Sequence, residues 1–209
     1  MSVLKIGISS RALFDLNNSH DVYVKHGIKK YSDYQRKHED KKLQKGAAFQ
    51  LVQKLLDMNT AKRKIVEVIL LSRNSSETGL RIFNSIEKYK LEIAKAVFSG
   101  GESPFPYVDA LDIDLFLSAD ISDVKLAIEN KIAAAHILTE QLNQSSSPQL
   151  RIAFDADAVI FSDESEKVFK KKGLEKYLEK EGKSSKPISP GPFNSCLLYT
   201  SDAADDFTS

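Results

Sequence analysis

Residues 65–101 read IVEVILLSRNSSETGLRIFNSIEKYKLEIAKAVFSGG. The opening run, Ile65 to Leu71, is β-branched and apolar, which is the composition of a buried strand. Ser75 or Ser76 can cap a following helix, because a serine hydroxyl accepts from the orphan N–H groups of a first turn. Leu80, Ile82, Phe83 and Ile86 are expected on the inner side of that helix. Ala94 to Phe98 is a second strand candidate and ends in the turn Ser99-Gly100-Gly101. Strand, helix and strand at this spacing predict an α/β fold with a parallel sheet covered on both faces.

The alternation extends in both directions. Leu4 to Ile8 is a short alternating apolar segment and reads as a strand. Val22 to Glu39 is charged, with Val24, Ile28, Tyr31 and Tyr34 spaced along it, and reads as a helix. Lys37 to Lys45 reads as a polar connection, and Ala47 to Met58 as an amphipathic helix on Phe49, Val52, Leu55 and Leu56. Further on, Pro104 to Leu111 predicts a short helix and Leu115 to Leu117 a strand. Asp120 or Ser122 can cap a helix running to about Asn130, and Ile132 to Leu138 is another strand candidate. The polar run NQSSSP, Asn143 to Pro148, breaks the pattern and reads as a linker. Beyond it, Arg151 to Phe154 reads as a strand, Asp163 to Lys172 as a helix with Gly173 near its C-cap, and Gly182 to Pro192 as loop.

Composition narrows the function classes. Thirty Lys and Arg against 29 Asp and Glu give a formal charge of +1, so bulk charge offers nucleic acid no attraction. With 42% hydrophobic residues the chain can bury a core, which excludes wholesale disorder. One cysteine, Cys196, excludes an internal disulfide framework and a cysteine-based zinc site. No apolar run approaches the ~20 residues of a spanning helix, and no signal-peptide pattern opens the chain. The expectation is a cytoplasmic protein with neither membrane nor nucleic-acid partner.

Two segments resemble each other, LKIGISSRALF from Leu4 and LRIAFDADAVI from Leu150. Aligned, Ser9 stands where Asp155 stands, and Arg11 where Asp157 stands. A duplicated unit follows as an expectation, with paired carboxylates in the second copy alone. Asp155 and Asp157 end a buried strand, and ligands of open α/β sheets bind at the carboxyl ends of strands. Two carboxylates there suit a Mg²⁺ site, or phosphoryl transfer with one as nucleophile and the other as acid and base. An Asp-x-Asp pair equally serves as a turn or helix cap, and the pair alone leaves these readings open.

Longer pieces carry more information. SSRALF (Ser9 to Phe14), the stretch His26 to Glu39, LLSRNSSETGLRIFNSI (Leu70 to Ile86), SGGESPFPYVDAL (Ser99 to Leu111), LFLSAD (Leu115 to Asp120) and AFDADAVIFSDESE (Ala153 to Glu166) resemble the cytosolic 5′-nucleotidase type I family of haloacid-dehalogenase-type phosphatases. The resemblance runs from about Val3 to Phe193, with Ala156 where the family usually has glycine. It implies a Rossmann-like parallel sheet with flanking helices, duplicated, the second copy incomplete. It also implies Mg²⁺-dependent hydrolysis of nucleoside 5′-monophosphates through an aspartyl-phosphate. Asp155 would be the nucleophile and Asp157 the acid and base, both at the metal, with backbone N–H groups from Ala156 to Ala158 on the phosphate.

On this reading residues 1–142 are a noncatalytic unit, 143–149 a linker and 150–195 the opening of a catalytic unit. The lysine of later phosphatase motifs is not evident in SGGESP, and the final acidic pair is reduced to Asp120. Arg11 and Arg73 are candidate phosphate contacts in the first unit, which could serve base recognition, a nucleotide effector or homo-oligomer contacts. Residues 196–209 (CLLYTSDAADDFTS) resemble a translated sequencing adapter, so the expectation is a truncated frame, inactive alone. Without Asp202, Asp205 and Asp206 the formal charge rises from +1 to +4.

Overall fold

The computed structural model describes residues 3–139, 147, 149–152, 159–183 and 189–191. The chain divides into two compact units, Met1–Asn130 with Ala134–Leu150, and Lys131–Ala133 with Arg151–Ser209. In chain order the elements are β1 (Leu4–Ser9), α1 (Ser10–Leu13), β2 (Phe14–Asp15), α2 (Asn17–Lys37), β3 (Gln44–Lys45), α3 (Phe49–Leu56), β4 (Val66–Ser72), α4 (Ser76–Lys88), β5 (Lys95–Phe98), α5 (Phe105–Ala110), β6 (Leu115–Ser118), α6 (Ile121–Glu129), β7 (Ala133–His136) and α7 (Glu164–Lys183).

Five strands form one sheet in the order β5-β4-β1-β6-β7. β1 is parallel to β4, with Leu4 opposite Val66 and Ser9 opposite Leu71, and parallel to β6 on its other side, with Ile6 opposite Leu115. β4 in turn is parallel to β5. The chain therefore builds outward from β1 through β4 to β5, then returns to lay down β6 and β7. Strand order reverses beside β1, and that reversal opens a crevice at the carboxyl ends of the strands.

Burial explains the central strands. Ile6, Ile8, Val66, Val68 and Leu70 join Phe14, Phe49, Val52, Ile82 and Ile86 in one core, each side chain contributing about 1.5–3 kcal/mol. Ser75 caps α4 by accepting from the Thr78 N–H, and Asp120 caps α6 by accepting from the N–H groups of Ser122 and Asp123, both within the expected alternatives. Gly46 runs so close to α1 that a Cβ there would lie 2.6 Å from the Ala12 carbonyl oxygen. This approach lets Gly46 N–H donate to the Leu13 carbonyl at 2.9 Å.

Several expectations are corrected. On α4, Ile82 and Ile86 are buried, but Leu80 is 47% and Phe83 39% exposed. Thr78, Arg81 and Ser85 take the inner face instead, because Arg81 Nε must reach the Lys41 carbonyl (2.9 Å) and Ser85 Oγ the Leu43 N–H (3.0 Å). α2 starts earlier than expected and breaks at Gly27 (φ 75°), and its apolar residues Val24 and Ile28 face outward. The connection 37–45 holds β3, which pairs antiparallel with β2. In the second unit α7 does not end at Gly173 but breaks there (φ 78°) and resumes to Lys183, taking in Gly182. Arg151 and Ile152 lie in no strand, and the rest of that expected strand lies outside the described residues. So do residues 140–146 and 192–209.

Candidate functional site

The crevice beside β1 is a cavity of about 310 Å³, lined by the residues that follow β1, β4 and β6 and by one side of α2. The carboxyl end of β1 supplies Ser9, Ser10 and Arg11. Ser9 Oγ accepts from Ala119 N–H (3.0 Å) and Ala12 N–H (3.4 Å), tying β1 to β6 while capping α1. Ser10 Oγ lies 3.0 Å from Ser72 Oγ, a buried link from β1 to β4. Both hydroxyls are thereby occupied in holding strand ends together, and neither has a histidine bonded to it among the described residues.

The two candidate arginines differ in place. Arg11 is an exposed cavity residue with no ion pair among the described residues. Arg73 also lines the cavity, but its guanidinium is committed to Asp123. Nε meets one carboxylate oxygen at 3.2 Å and an Nη meets the other at 2.6 Å, with Asp120 at 3.8 Å. The bond to Asp123 comes first among the causes that raise the Arg73 pKa above its ordinary value. Ser103 Oγ donates to the same carboxylate at 2.8 Å. Arg73 thus braces the end of β4 against the start of α6.

Asp120 shows the balance of burial against charge. Burial alone would raise its pKa, but hydrogen bonds from Ser122 and the charge of Arg73 outweigh it and hold the carboxyl below its ordinary value. A lowered folded pKa contributes stability above the unfolded value of about 3.9, and that contribution is lost as pH falls through the folded value. Asp120→Ala is expected to cost about 1 kcal/mol at neutral pH. Asp120→Asn keeps a capping oxygen and loses only the charge-dependent part, so its difference from wild type shrinks in acid. Thermal unfolding at neutral pH and at about pH 3, under the ordinary carboxylate value, measures both. An Asn deficit that is undiminished in acid contradicts the assignment.

Asn74 was not singled out by its sequence, which places it merely in a polar turn after a strand. Its role comes from a chain of hydrogen bonds with a fixed direction. Arg81, buried, has donors only, so its Nη pairs with Gln35 Oε1 (3.1 Å). Gln35 must then offer Nε2, which donates to the Tyr31 oxygen (3.1 Å). The Tyr31 proton in turn goes to Asn74 Oδ1 (2.9 Å). Burial, ahead of the opposing hydrogen bonds, pushes the Tyr31 phenol up and keeps that proton in place. Asn74 is left with Nδ2, buried and without a hydrogen-bond partner among the described residues. A donor in that state costs about 1–3 kcal/mol, which a ligand oxygen would recover.

The remaining wall is α2. Tyr23 stands 48% exposed at the cavity, edge-on to Tyr31 at 5.9 Å and stacked with His20 at 6.3 Å. Asp155, Ala156, Asp157 and Ala158 lie outside the described residues. Among the described residues no group of three or more His, Cys, Asp or Glu is placed to hold a metal.

The 5′-nucleotidase family model matches residues 1–208. Cytosolic 5′-nucleotidase 1B of Homo sapiens is 33% identical over 205 residues, which is 94% of this chain and 34% of that protein, so the chain spans about a third of its relative. Two solved structures of the HAD domain of effector protein Lem4 from Legionella pneumophila, one an inactive mutant, are similar at a TM-score of 0.41 and 11% identity. They cover 68% and 67% of this chain and 89% and 88% of their own. A family match that runs almost from end to end, through the strand-end residues of the cavity and the aspartate pair alike, makes this chain a member of the 5′-nucleotidase family.

Proposed function

We propose that the chain carries the nucleophile of a phosphomonoesterase acting on nucleoside 5′-monophosphates, AMP or a close relative. The observation that carries this is the family match across AFDADAVIFSDESE, residues 153–166. In this reading an Asp155 oxygen attacks phosphorus while the P–O ester bond breaks, and Asp157 gives its proton to the departing nucleoside oxygen. Asp157 then takes a proton from water, whose oxygen attacks the acyl phosphate, releasing phosphate and restoring Asp155. Backbone N–H groups from Ala156 to Ala158 hold the phosphate oxygens.

The Asp155 carboxylate and the Asp157 backbone carbonyl would hold Mg²⁺ as hard oxygen donors, leaving the Asp157 carboxyl for proton transfer. The ion would supply charge neutralisation between an anionic nucleophile and an anionic phosphate. The first unit has Ser9 and Arg11 at the matching positions and is assigned no hydrolysis. A cytosolic location is proposed from the human relative's name; no helix among the described residues is long and apolar enough to cross a membrane.

Phosphate release from AMP with Mg²⁺ tests the reading in a polypeptide spanning the human relative's length. Absence of turnover there defeats it. Residues 1–209 alone are expected to be at least about a hundredfold slower, since catalytic groups act as a unit. Full activity of the 209-residue chain that vanishes on Asp155→Asn would contradict that expectation.

A further inference from the structure

The cavity of the first unit is built from different residues than the aspartate pair, and its polar groups are unequal in a way that selects a ligand. Arg73 is held between Asp120 and Asp123, a trio of net charge −1 in which the guanidinium is already taken and the Asp120 carboxylate also accepts from Ser122, so an anion must bind away from it. Arg11 is the cation left without an ion pair among the described cavity residues. Asn74 Nδ2 is a donor fixed in direction by the Arg81–Gln35–Tyr31 chain, with nothing to donate to among the described residues. Ser75 and Thr78, at the start of the thirteen-residue α4, line the same wall. Donors, a guanidinium and a helix start favour an oxyanion. Across the cavity stand Tyr23 and Ile28, both exposed, which is where a flat ring can lie. About 310 Å³ is near the small end of ligand pockets, about 300 Å³, and suits one nucleotide.

We propose that this cavity is a second nucleotide site: a nucleoside monophosphate binds with its phosphate at Arg11 and Asn74 and its base against Tyr23, and leaves unhydrolysed. Hydrolysis is absent because the strand-end hydroxyls are spent on structure. Ser9 Oγ accepts from two backbone N–H groups, Ser10 Oγ pairs with Ser72 Oγ, and among the described residues no side chain bonded to either can take a proton as a general base. Binding here is independent of Asp155, so its failure and that of the phosphatase reading can be told apart.

The test is calorimetric titration of the 209-residue chain with AMP, adenosine and inorganic phosphate, in chelator, for wild type, Arg11→Gln, Asn74→Asp and Asp155→Asn. Arg11 is exposed, so Arg11→Gln should melt like wild type, while Asn74→Asp keeps an acceptor for Tyr31 but places a carboxylate oxygen at the buried Nδ2 position, and should melt somewhat lower while staying folded. AMP is expected to saturate one site. Arg11→Gln and Asn74→Asp should each weaken it about tenfold or more, the loss of one charge-assisted contact. Asp155→Asn should stay within about twofold, since binding here does not use that carboxylate. Adenosine and phosphate should each bind more weakly than AMP. No saturable AMP binding overturns the proposal. So does binding that Asp155→Asn abolishes, or that neither first-unit variant changes. Phosphate binding as tightly as AMP overturns the base contact, and AMP cleavage persisting in Asp155→Asn overturns the claim that this site only binds.

Discussion

Asp155→Asn, in a polypeptide spanning the human relative's length, is expected to lower kcat for AMP by about 10⁴-fold while KM moves only a few-fold. The amide oxygen is a poor nucleophile at phosphorus and forms no acyl phosphate, so the interaction lost exists only along the reaction path. Asp157→Asn should fall by a similar factor for a different reason, and p-nitrophenyl phosphate separates the two. Its leaving group departs without a proton, so the first step survives in Asp157→Asn, while the second lacks a base for water. A phosphoenzyme labile to hydroxylamine should then accumulate in Asp157→Asn and be absent from Asp155→Asn. Retention of about a tenth of wild-type kcat by Asp155→Asn would remove that residue from the nucleophile role.

The roles of Asp155 and Asp157 stay a proposal, since both lie outside the described residues. The central sheet was legible because its burial is written locally. Ile65 to Leu71 is too apolar to lie anywhere but inside, and β4 runs Val66–Ser72. The caps at Ser75 and Asp120 were legible because a cap is a contact over two or three residues. What depends on distant residues was not. Arg11 and Arg73 look alike in the sequence, and what sets Arg73 apart is its bond to Asp123, fifty positions away, whereas Arg11 has no ion pair among the described residues. Asn74 gains its spare donor from Gln35 and Arg81, which meet through the packing of α2 on α4. Leu80 and Phe83 were misassigned because apolar spacing ignores polar side chains with a buried task, here Arg81 and Ser85. The two-residue strands β2 and β3 carry no periodicity to read, yet they anchor the segment that presents Arg11.

Phe14→Ala is the substitution expected to show how much that anchor matters. Phe14 is fully buried, with its ring 6.2 Å from Phe49 and 6.1 Å from Tyr89, while Phe49 and Tyr89 meet at 4.7 Å. It also closes α1, donating its N–H to the Ser10 carbonyl, and pairs with Lys45 across the β2–β3 ribbon. Removing the ring leaves a hole among aromatic side chains that cannot collapse easily, and the expected cost is about 3–5 kcal/mol. Phe14→Leu fills most of that space and should cost less than about 1.5 kcal/mol. Lys42, whose ammonium lies 3.5 Å from the Tyr89 ring centre, contributes to the same cluster from the surface. Its removal should cost no more than about 1 kcal/mol. The ranking Phe14→Ala, Phe14→Leu, Lys42→Ala in urea unfolding tests whether packing or surface charge holds the cluster. Because α1 sits on this cluster, Phe14→Ala should also weaken AMP binding at Arg11, and Lys42→Ala should not. A Phe14→Ala protein that keeps wild-type stability would mean that the ribbon and the aromatic cluster do not position Arg11, and the cavity's geometry would need another support.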